Sequence, residues 1–326
     1  MAIDAGLRLQ PDASRYTLAC FLADVVERNR EGVAVRFEGE SFRYADLAEQ
    51  AHAIAKGLVA AGLHKGSHVA LLMANRPEWI TAAFGISLVG GVVVPVNTFG
   101  TGAEIDTILR HSDAGTLILQ RSLLKHEFLD DLLGRHDALR EGVPGQIRCD
   151  VLPALRRAFC LGLDSNQGAV ESWGALIRGG AGLEDALVDS LAEQVTPADD
   201  GILIYTSGTT AQPKGVLHRQ RAAVIQSWRF AEHYGLGTED VVWTAQPFFW
   251  TAGICMSLGA SLAGGGTLVL QENFDAERAL DAIEQEGATV IHAWPHQEKA
   301  LADHPSAAGR DLSRVSKVNF SSPLAP

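Results

Sequence analysis

The chain contains 326 residues, of which 47% are hydrophobic and 20% are charged, so it can bury a sizeable core and does not have the composition of a disordered protein. Its length suggests two domains or subdomains. It has 27 Lys and Arg residues against 39 Asp and Glu residues, a formal net charge of −12. This acidity, with no basic block, argues against nucleic acid and anionic membranes as partners.

The cysteines and the N-terminus indicate a reducing compartment. Cys20, Cys149, Cys160 and Cys255 are scattered, with no Cys-x-x-Cys pair and no Cys/His spacing typical of a metal site. We therefore expect reduced thiols, no disulfide and no metal ligands among them. Residues 1–10 contain charges and no apolar run, so they do not resemble a signal peptide. The predicted location is cytoplasmic.

Two uncharged stretches, residues 80–103 and 241–271, are long enough to be compared with membrane spans. Both are interrupted by glycines and by a proline, and the second contains three consecutive glycines at 264–266. Each pattern predicts a buried helix, a glycine turn and a buried strand rather than a transmembrane helix. We therefore expect no transmembrane segment.

In chain order, the first part alternates short apolar strands with amphipathic helices. This alternation predicts a doubly wound α/β fold with a mostly parallel sheet, in which ligands bind at the carboxyl ends of the strands. Strands are predicted at 33–37, 69–73, 92–96, 115–119 and 156–163. Helices are predicted at 18–28, from 47 to a stop at Gly62, at 77–89, from a capping box at 101–104, and at 122–139.

The second part continues the alternation after a glycine-rich linker at 179–182. The chain is therefore expected to divide into two α/β parts, roughly 1–180 and 181–326. Helices are predicted at 183–195, 218–234, 254–262 and 274–284. Strands are predicted at 202–205, 241–245, 267–270, 288–292 and 315–320.

The stretch from Ile202 to Val216 changes abruptly from a buried strand to small and hydroxylated residues, followed by Gln212, Pro213 and Lys214. Such a run cannot pack as core, but its backbone N–H groups can form an anion-binding concavity and its lysine adds a point charge suited to phosphate. A strand–loop–helix junction that binds phosphate is therefore predicted. The spacing fits neither a Walker A loop nor a Gly-x-Gly-x-x-Gly fingerprint. The alternative is a mobile loop without a ligand.

The residues from Tyr205 to Val216 resemble the phosphate-binding signature of the adenylate-forming superfamily, which includes acyl-CoA and aryl-CoA synthetases, luciferases and the adenylation domains of peptide synthetases. The resemblance implies two packed α/β subdomains in one AMP-binding large domain, with ATP, Mg²⁺ and CoA as cofactors or co-substrates. It also implies a catalytic role for Lys214. Ala211 departs from the signature, which usually has glycine there. The implied phosphate-binding residues are Thr206, Ser207, Gly208, Thr209, Thr210, Lys214 and Gly215.

Residues 246–253 read Gln-Pro-Phe-Phe-Trp-Thr-Ala-Gly directly after a predicted strand. Three aromatic side chains at a strand end can line an apolar ligand site or belong to the core. In acyl-CoA and aryl-CoA synthetases a similar segment lines the acid pocket. Trp250 stands where histidine is common, so no single relative defines the acid. The implied substrate-binding residues are Phe249, Trp250, Thr251 and Gly253.

The last predicted strand corresponds to a family strand followed by a glycine-rich segment beside adenine, but Phe320 stands in place of a glycine. The family's Mg-binding glutamate, ribose-binding aspartate and small C-terminal domain lie beyond the residues of this chain. The expectation from the sequence is therefore an incomplete large domain that does not turn over by itself. His292, flanked by apolar residues, is predicted to be a core histidine with its hydrogen bonds satisfied rather than a catalytic one.

The resemblance implies ATP-dependent activation of a carboxylic acid through an acyl-adenylate, followed by transfer to CoA. An apolar acid is expected, because Phe248, Phe249 and Trp250 offer apolar area without a countercharge. Two alternatives stay open: an enzyme that loads a carrier protein or is luciferase-like, and a degenerate fragment without catalysis. The expected partners are a small carboxylic acid, ATP and CoA, and a homodimer stays open.

Overall fold

The computed structural model describes residues 12–206, 213–318 and 322–324, which form two β-sheets with helices on their faces. The strands in chain order are β1 (Val33–Phe37), β2 (Glu40–Arg43), β3 (His68–Leu72), β4 (Val92–Pro95), β5 (Thr116–Gln120), β6 (Arg157–Leu161), β7 (Glu171–Ser172), β8 (Asp200–Thr206), β9 (Lys214–Arg219), β10 (Val241–Thr244), β11 (Thr267–Leu270) and β12 (Val290–His292).

Helices connect most of these strands. In chain order they are α1 (Leu18–Asn29), α2 (Tyr44–Ala60), α3 (Pro77–Leu88), α4 (Gly102–His111), α5 (Phe128–Arg135), α6 (Asp137–Arg140), α7 (Trp173–Gly179), α8 (Asp185–Glu193), α9 (Gln220–His233), α10 (Ala260–Gly264), α11 (Ala276–Gln285) and α12 (Pro295–Ala302). A π-helix over Ala252–Gly259 leads directly into α10, and two short 3-10 turns lie at Ala13–Arg15 and Ala307–Gly309.

The larger sheet has seven strands in the order β7-β6-β5-β3-β4-β8-β9, and the smaller has five in the order β12-β10-β11-β1-β2. Neighbouring strands are parallel apart from the pairs β8–β9 and β1–β2. β4 and β5 are fully buried and β3 nearly so, as expected for parallel strands covered by helices on both faces. The predicted α/β class with mostly parallel, doubly wound sheets is confirmed.

Three apolar clusters fill the space around the sheets. The largest joins residues of both sheets with α1, α2, α3 and α9, so these helices lie between the sheets. Along β8, Ile202 and Ile204 face this shared core, while Leu203 and Tyr205 face the cluster on the outer side of the larger sheet. Helices α4 and α5 cover that outer side, and α11 and α12 cover the outer side of the smaller sheet. The layers therefore follow the order α-β-α-β-α.

The two uncharged stretches form buried secondary structure of the predicted kind. Residues 80–103 contain most of α3, a glycine turn and β4, and residues 241–271 contain β10, the π-helix, α10, a glycine turn and β11. Across the parts of the chain that the structure describes, no helix combines the length and the apolar composition needed to cross a membrane.

The segment after the predicted phosphate loop differs from the prediction. The sequence predicted a helix over 218–234, but residues up to Arg219 form β9, and α9 begins only at Gln220. The chain turns back and pairs with β8 from Thr206 to Asp200 before it enters the helix. The predicted strand–loop–helix junction is therefore wrong, and the loop connects the two strands of a hairpin.

Smaller differences occur elsewhere. The helix predicted over 122–139 starts at Phe128 and is divided at His136, which ends α5 and precedes α6. Of the strand predicted at 315–320, the described residues 315–318 form one bridge, between Lys317 and Val290. Residues 319–321, with Phe320 beside the expected adenine site, lie outside the described part of the chain.

The two sheets do not follow the predicted division near residue 180. β1 and β2 join β10, β11 and β12 in the smaller sheet, whereas β8 and β9 join β3 to β7 in the larger one. Periodicity identifies a strand but not its neighbours, because a parallel strand can be paired across any number of intervening residues. Residues 1–180 and 181–326 therefore each contribute strands to both sheets.

Candidate functional site

The predicted phosphate loop lies at the end of the β8–β9 hairpin. The two strands pair antiparallel up to Thr206, which lies opposite Lys214, and Gly215 lies opposite Tyr205. Residues 207–212, which connect the strands, lie outside the described residues. They include four of the predicted phosphate-binding residues and the unusual alanine, namely Ser207, Gly208, Thr209, Thr210 and Ala211.

Lys214 and Thr206 are both exposed at the open end of the hairpin. Within the described ranges, no carboxylate forms an ion pair with the ammonium group of Lys214. The other cation of β9, Arg219, lies at the opposite end of the strand and is paired with Asp200. Lys214 is therefore a positive charge that is available to a ligand at the hairpin end.

Tyr205 anchors the hairpin to the first part of the chain. Its hydroxyl oxygen lies 2.8 Å from Nδ1 of His111, the last residue of α4, and the two rings meet edge-on. Burial raises the pKa of Tyr205 to about 12, so the phenol keeps its proton at neutral pH. The hydrogen bond and the buried ring fix the strand that leads into the predicted phosphate loop.

A cluster of four aromatic rings lies at the carboxyl ends of the strands. We call Phe99, Phe249, Trp250 and Trp294 the aromatic cluster. The ring of Phe249 lies 5.5 Å from that of Phe99 and 4.8 Å from that of Trp250, and Trp250 lies 6.1 Å from Trp294, all centroid to centroid. Phe249 is buried, whereas Phe99 is 58% and Trp250 37% exposed. The cluster therefore offers open aromatic surface above a buried ring.

The topology of the larger sheet places Phe99 and the β8–β9 hairpin at the same end of neighbouring strands. Val93 of β4 is paired with Ile202 of β8 in parallel. β4 ends at Pro95, four residues before Phe99, and β8 ends at Thr206, where the predicted phosphate loop begins. The carboxyl ends of two neighbouring parallel strands therefore lead into Phe99 and into the predicted phosphate loop.

Asn75 holds the segment that carries Phe249 and Trp250. Its Nδ2 donates to the carbonyl oxygen of Gln246 at 2.9 Å, and its Oδ1 accepts from the backbone N–H of Phe248 at 2.9 Å. The side-chain oxygen of Gln246 accepts a hydrogen bond from Ser257 at 2.8 Å. Because Asn75 follows β3 of the larger sheet and Gln246 follows β10 of the smaller one, these buried bonds join the carboxyl ends of both sheets.

The π-helix fixes the remaining two predicted substrate residues. Thr251 is exposed just before the π-helix, whereas Gly253 is buried within it. A Cβ atom on Gly253 would lie 2.2 Å from the carbonyl oxygen of Pro247, so only glycine allows the helix to approach this backbone. The sequence predicted a regular helix here, and π-helical turns are frequent at functional sites.

Gly253→Ala is expected to lower the free energy of unfolding by about 1–3 kcal/mol, the usual cost of overpacking a rigid site. The atom in the way is backbone, which cannot rotate aside as a side chain could. Urea unfolding followed by tryptophan fluorescence measures the change. Gly134→Ala is the matched control, because no atom lies within 4 Å of its added Cβ and helical alanine is favoured over glycine. Equal stability of Gly253→Ala and the parent would contradict the packing role.

The sequence did not point to Asn75, Phe99 and Trp294 as site residues. They follow β3, β4 and β12, at the same edge as the predicted segment after β10. Their position after an apolar strand was a usable signal, since ligands bind at the carboxyl ends of parallel strands. What was missing was the order of the strands, which decides which ends are neighbours.

The sequence matches the profile of the family described as AMP-binding enzyme over residues 22–326. It is 31% identical over 301 residues to a methyl-dioxo-octahydroindenyl propanoyl:CoA ligase of Mycobacterium tuberculosis, covering 92% of this chain and 55% of that protein. It is 28% identical over 294 residues to the indoleacetate–CoA ligase of Aromatoleum aromaticum, covering 90% of this chain and 52% of that protein. The chain thus spans about half the length of these curated relatives.

Solved structures show the same fold. The anthranilate CoA ligase AuaEII in complex with anthranoyl-AMP superposes with a TM-score of 0.80 at 23% identity, covering 98% of this chain and 56% of that chain. ATP-bound MatB from Rhodopseudomonas palustris superposes with a TM-score of 0.71 at 23% identity, covering 89% of this chain and 52% of that chain. At this level of identity the likeness concerns the fold.

Proposed function

Since the chain belongs to the AMP-binding enzyme family, we propose that it forms the phosphate-binding and acid-binding part of an AMP-forming acid–CoA ligase. In the first step the carboxylate oxygen attacks the α-phosphorus of ATP, and pyrophosphate leaves. In the second step the thiol sulfur of CoA attacks the acyl carbon of the adenylate, and AMP leaves as the thioester forms. Phosphoryl chemistry of this kind depends mainly on positioning and charge stabilisation.

One observation carries this proposal: an exposed lysine with no carboxylate partner among the described residues stands at the end of a hairpin whose connecting loop contains a glycine and three hydroxyl side chains, and an open aromatic cluster follows the carboxyl ends of neighbouring strands. Lys214 would provide the point charge for the phosphates of ATP. Thr206, Gly215 and the loop residues Ser207, Gly208, Thr209 and Thr210 would provide hydroxyl and backbone N–H donors.

The aromatic cluster supports an apolar acid, aliphatic or aromatic. Trp250 and Phe99 present exposed ring surface, and Phe249 supports them from below. An α-amino acid would place an ammonium group beside these rings, which supply no carboxylate to pair with it. Removing that ammonium group from water would cost free energy. Phe249, Trp250 and Thr251 are proposed to contact the acid. Gly253 is proposed to let the π-helix pack closely against the backbone of Pro247.

Several finer points rest on the resemblance and remain predictions. Within residues 12–206, 213–318 and 322–324 no group of three His, Cys, Asp or Glu side chains is arranged to hold a metal ion, so Mg²⁺ is proposed on the resemblance alone. The same holds for CoA rather than a carrier protein as acceptor, for a cytoplasmic location and for a homodimer.

The test is ATP–pyrophosphate exchange in the protein that carries this chain, supplied in turn with a fatty acid, an aryl acid and an amino acid. Exchange that depends on a fatty or aryl acid, followed by thioester formation on addition of CoA, is the expected result. Exchange driven by amino acids would contradict the proposed acid, and no exchange with any acid would contradict the proposed reaction.

Trp250→Ala is expected to weaken binding of the preferred apolar acid by about tenfold, because stacking on one aromatic ring contributes roughly 1.4 kcal/mol. The measurement is the acid concentration that gives half-maximal pyrophosphate exchange at saturating ATP. The matched control is Leu187→Ala on α8, whose side chain is 39% exposed against 37% for Trp250. An unchanged acid dependence in Trp250→Ala would remove this residue from the acid site.

A further inference from the structure

Three side chains that take no part in the proposed reaction meet on the outer side of the larger sheet. Asp106 lies on α4, His136 separates α5 from α6, and Cys149 lies in the segment 141–156. All three are buried, with exposed fractions of 9%, 4% and 7% respectively. Among the described residues, no group of three His, Cys, Asp or Glu side chains, this one included, is arranged to hold a metal ion.

The geometry orders them as thiol, imidazole and carboxylate. Nε2 of His136 lies 3.0 Å from Oδ1 of Asp106, and Sγ of Cys149 lies 3.9 Å from Nδ1 of the same ring. Arg135 holds the carboxylate in place through Nε at 3.0 Å and Nη2 at 3.1 Å. The imidazole therefore bridges the thiol and a fixed carboxylate.

The carboxylate of Asp106 determines which nitrogen of the His136 ring carries the proton, and therefore whether the nitrogen that faces the thiol can act as a base. Burial opposes ionisation of Asp106, but hydrogen bonds from Arg135 and His136 outweigh it and hold the pKa of this carboxyl below its usual value. An ionised carboxylate only accepts hydrogen bonds, so Nε2 of His136 carries the proton and donates it. Nδ1 is then unprotonated in the neutral ring, and its lone pair faces the S–H of Cys149.

A nucleophile next to a base that is itself oriented by a third group is the arrangement that activates cysteine and serine nucleophiles. We propose that Cys149 is a modification site for small hydroperoxides, with His136 as its base and Asp106 as the positioning residue. The thiol proton passes to Nδ1 of His136, and the sulfur attacks one oxygen of the peroxide. An S–O bond forms as the O–O bond breaks.

The atoms and electrons of this step balance. The departing hydroxide takes the proton from His136 and becomes water, while the sulfur becomes a sulfenic acid. The sulfur loses two electrons and the peroxide gains two. The product places a polar S–OH group among the buried side chains around Ile147 and Leu152 of the same segment.

Access favours a small oxidant. The segment that carries Cys149 contains no helix or strand between α6 and β6, and loops of this length without secondary structure are uncommon in compact domains. Only 7% of Cys149 is exposed, which suits an uncharged molecule close to water in size and excludes a bulky reagent from the folded protein.

The chain supplies its own controls. Burial raises the pKa of Cys160 to about 12, and the thiol donates to the carbonyl oxygen of Leu161 rather than to an imidazole. Burial likewise raises the pKa of Cys255 to about 12. Cys255 is as buried as Cys149 and Cys160 is more so, and in the part of the chain that the structure describes neither thiol is hydrogen-bonded to a base that would form the thiolate.

The test treats the full chain with hydrogen peroxide at neutral pH for a series of times, removes the peroxide with catalase, and then unfolds the protein in urea that contains dimedone, so that the trap reaches every sulfenic acid. Labelling of each cysteine is measured by mass spectrometry of its peptides. Cys149 is expected to be labelled at least about tenfold faster than Cys160 and Cys255, since general-base assistance commonly exceeds this factor. Equal or slower labelling of Cys149 would overturn the proposal, and this comparison needs no variant to fold.

His136→Gln separates activation from simple exposure. The amide nitrogen of glutamine can take the place of Nε2 and donate to Asp106, but the side chain offers no base at the position of Nδ1. Labelling of Cys149 is therefore expected to fall at least about tenfold while the labelling of Cys255 stays the same. Circular dichroism and urea unfolding check that the variant is folded. Unchanged labelling of Cys149 in a folded His136→Gln protein would show that His136 is not its base and would overturn the proposed role.

Discussion

Replacing Lys214 with alanine is expected to slow formation of the acyl-adenylate by about 10²–10³-fold, the loss typical of a single preorganised charge donor. The lysine is exposed at the end of β9 and has no carboxylate partner within the described residues, so its charge is free for the phosphates. The measurement is the rate of ATP–pyrophosphate exchange in the protein that carries this chain, with the acid that supports the fastest exchange.

The matched control is Arg219→Ala at the other end of the same strand. Five residues of extended chain place the two cations roughly 17 Å apart, so the arginine cannot reach a ligand at the hairpin end. Its exposed pair with Asp200 contributes little to stability. Exchange in Arg219→Ala should therefore match the parent. Equal exchange in Lys214→Ala would contradict the proposed phosphate site and leave the hairpin as a structural feature.

Lys214→Arg refines the same experiment. The guanidinium keeps the positive charge but spreads it over a planar fork, whereas the ammonium is a compact point charge. We expect an exchange rate between those of the parent and Lys214→Ala. A rate equal to that of the alanine variant would show that the position of the charge, more than its presence, sustains the reaction.

The sequence predicted the buried strands well and the exposed ones poorly. β3, β4 and β5 are short apolar segments between glycine turns and helices, and their burial on both faces leaves no other assignment. β9 lies at the edge of its sheet with Val216 and Leu217 both exposed, so it lacks the alternation by which a half-buried strand is recognised. The helical pattern that begins at Gln220 was consequently extended too far toward the loop.

Half of the candidate site could be predicted, for a physical reason. Lys214, Phe249 and Trp250 lie within continuous segments whose composition changes abruptly at a strand end. Phe99 and Trp294 reach the same cluster from β4 and β12, which belong to different sheets. A single sequence carries no signal for the order of parallel strands, so these contacts required the structure.

For His292 the sequence predicted the burial correctly but not the hydrogen bonding. The apolar neighbours correctly predicted a buried histidine, 7% exposed, but the usual expectation that a core histidine is hydrogen-bonded is wrong here. Both ring nitrogens are buried and make no hydrogen bond to any residue the structure describes. The ring instead lies 4.7 Å from that of Tyr234, centroid to centroid. Such a group can be kept inside the fold only in its neutral form.

The free energy of unfolding should therefore decrease as the pH is lowered from about 6.5 to about 4. Burial lowers the pKa of His292 from 6.5 to about 4, so in this window the unfolded chain binds a proton that the folded chain does not. The contribution of His292 to the free energy of unfolding is constant above pH 6.5 and again below pH 4. Between these two pH values the free energy of unfolding falls by about 3 kcal/mol.

Other groups also titrate in this range, so the histidine must be isolated by comparison. Tyr234, whose ring contacts His292, does not interfere, because burial raises the pKa of its phenol and it stays neutral in acid. We expect His292→Phe, which replaces the imidazole by an apolar ring, to lose up to about 3 kcal/mol less than the parent between pH 6.5 and 4. The exposed His296→Phe should retain the parent's dependence. Urea unfolding at half-unit pH steps gives these differences. A constant difference between parent and His292→Phe across the window would show that His292 is not protonated on unfolding, and that its burial carries no acid sensitivity.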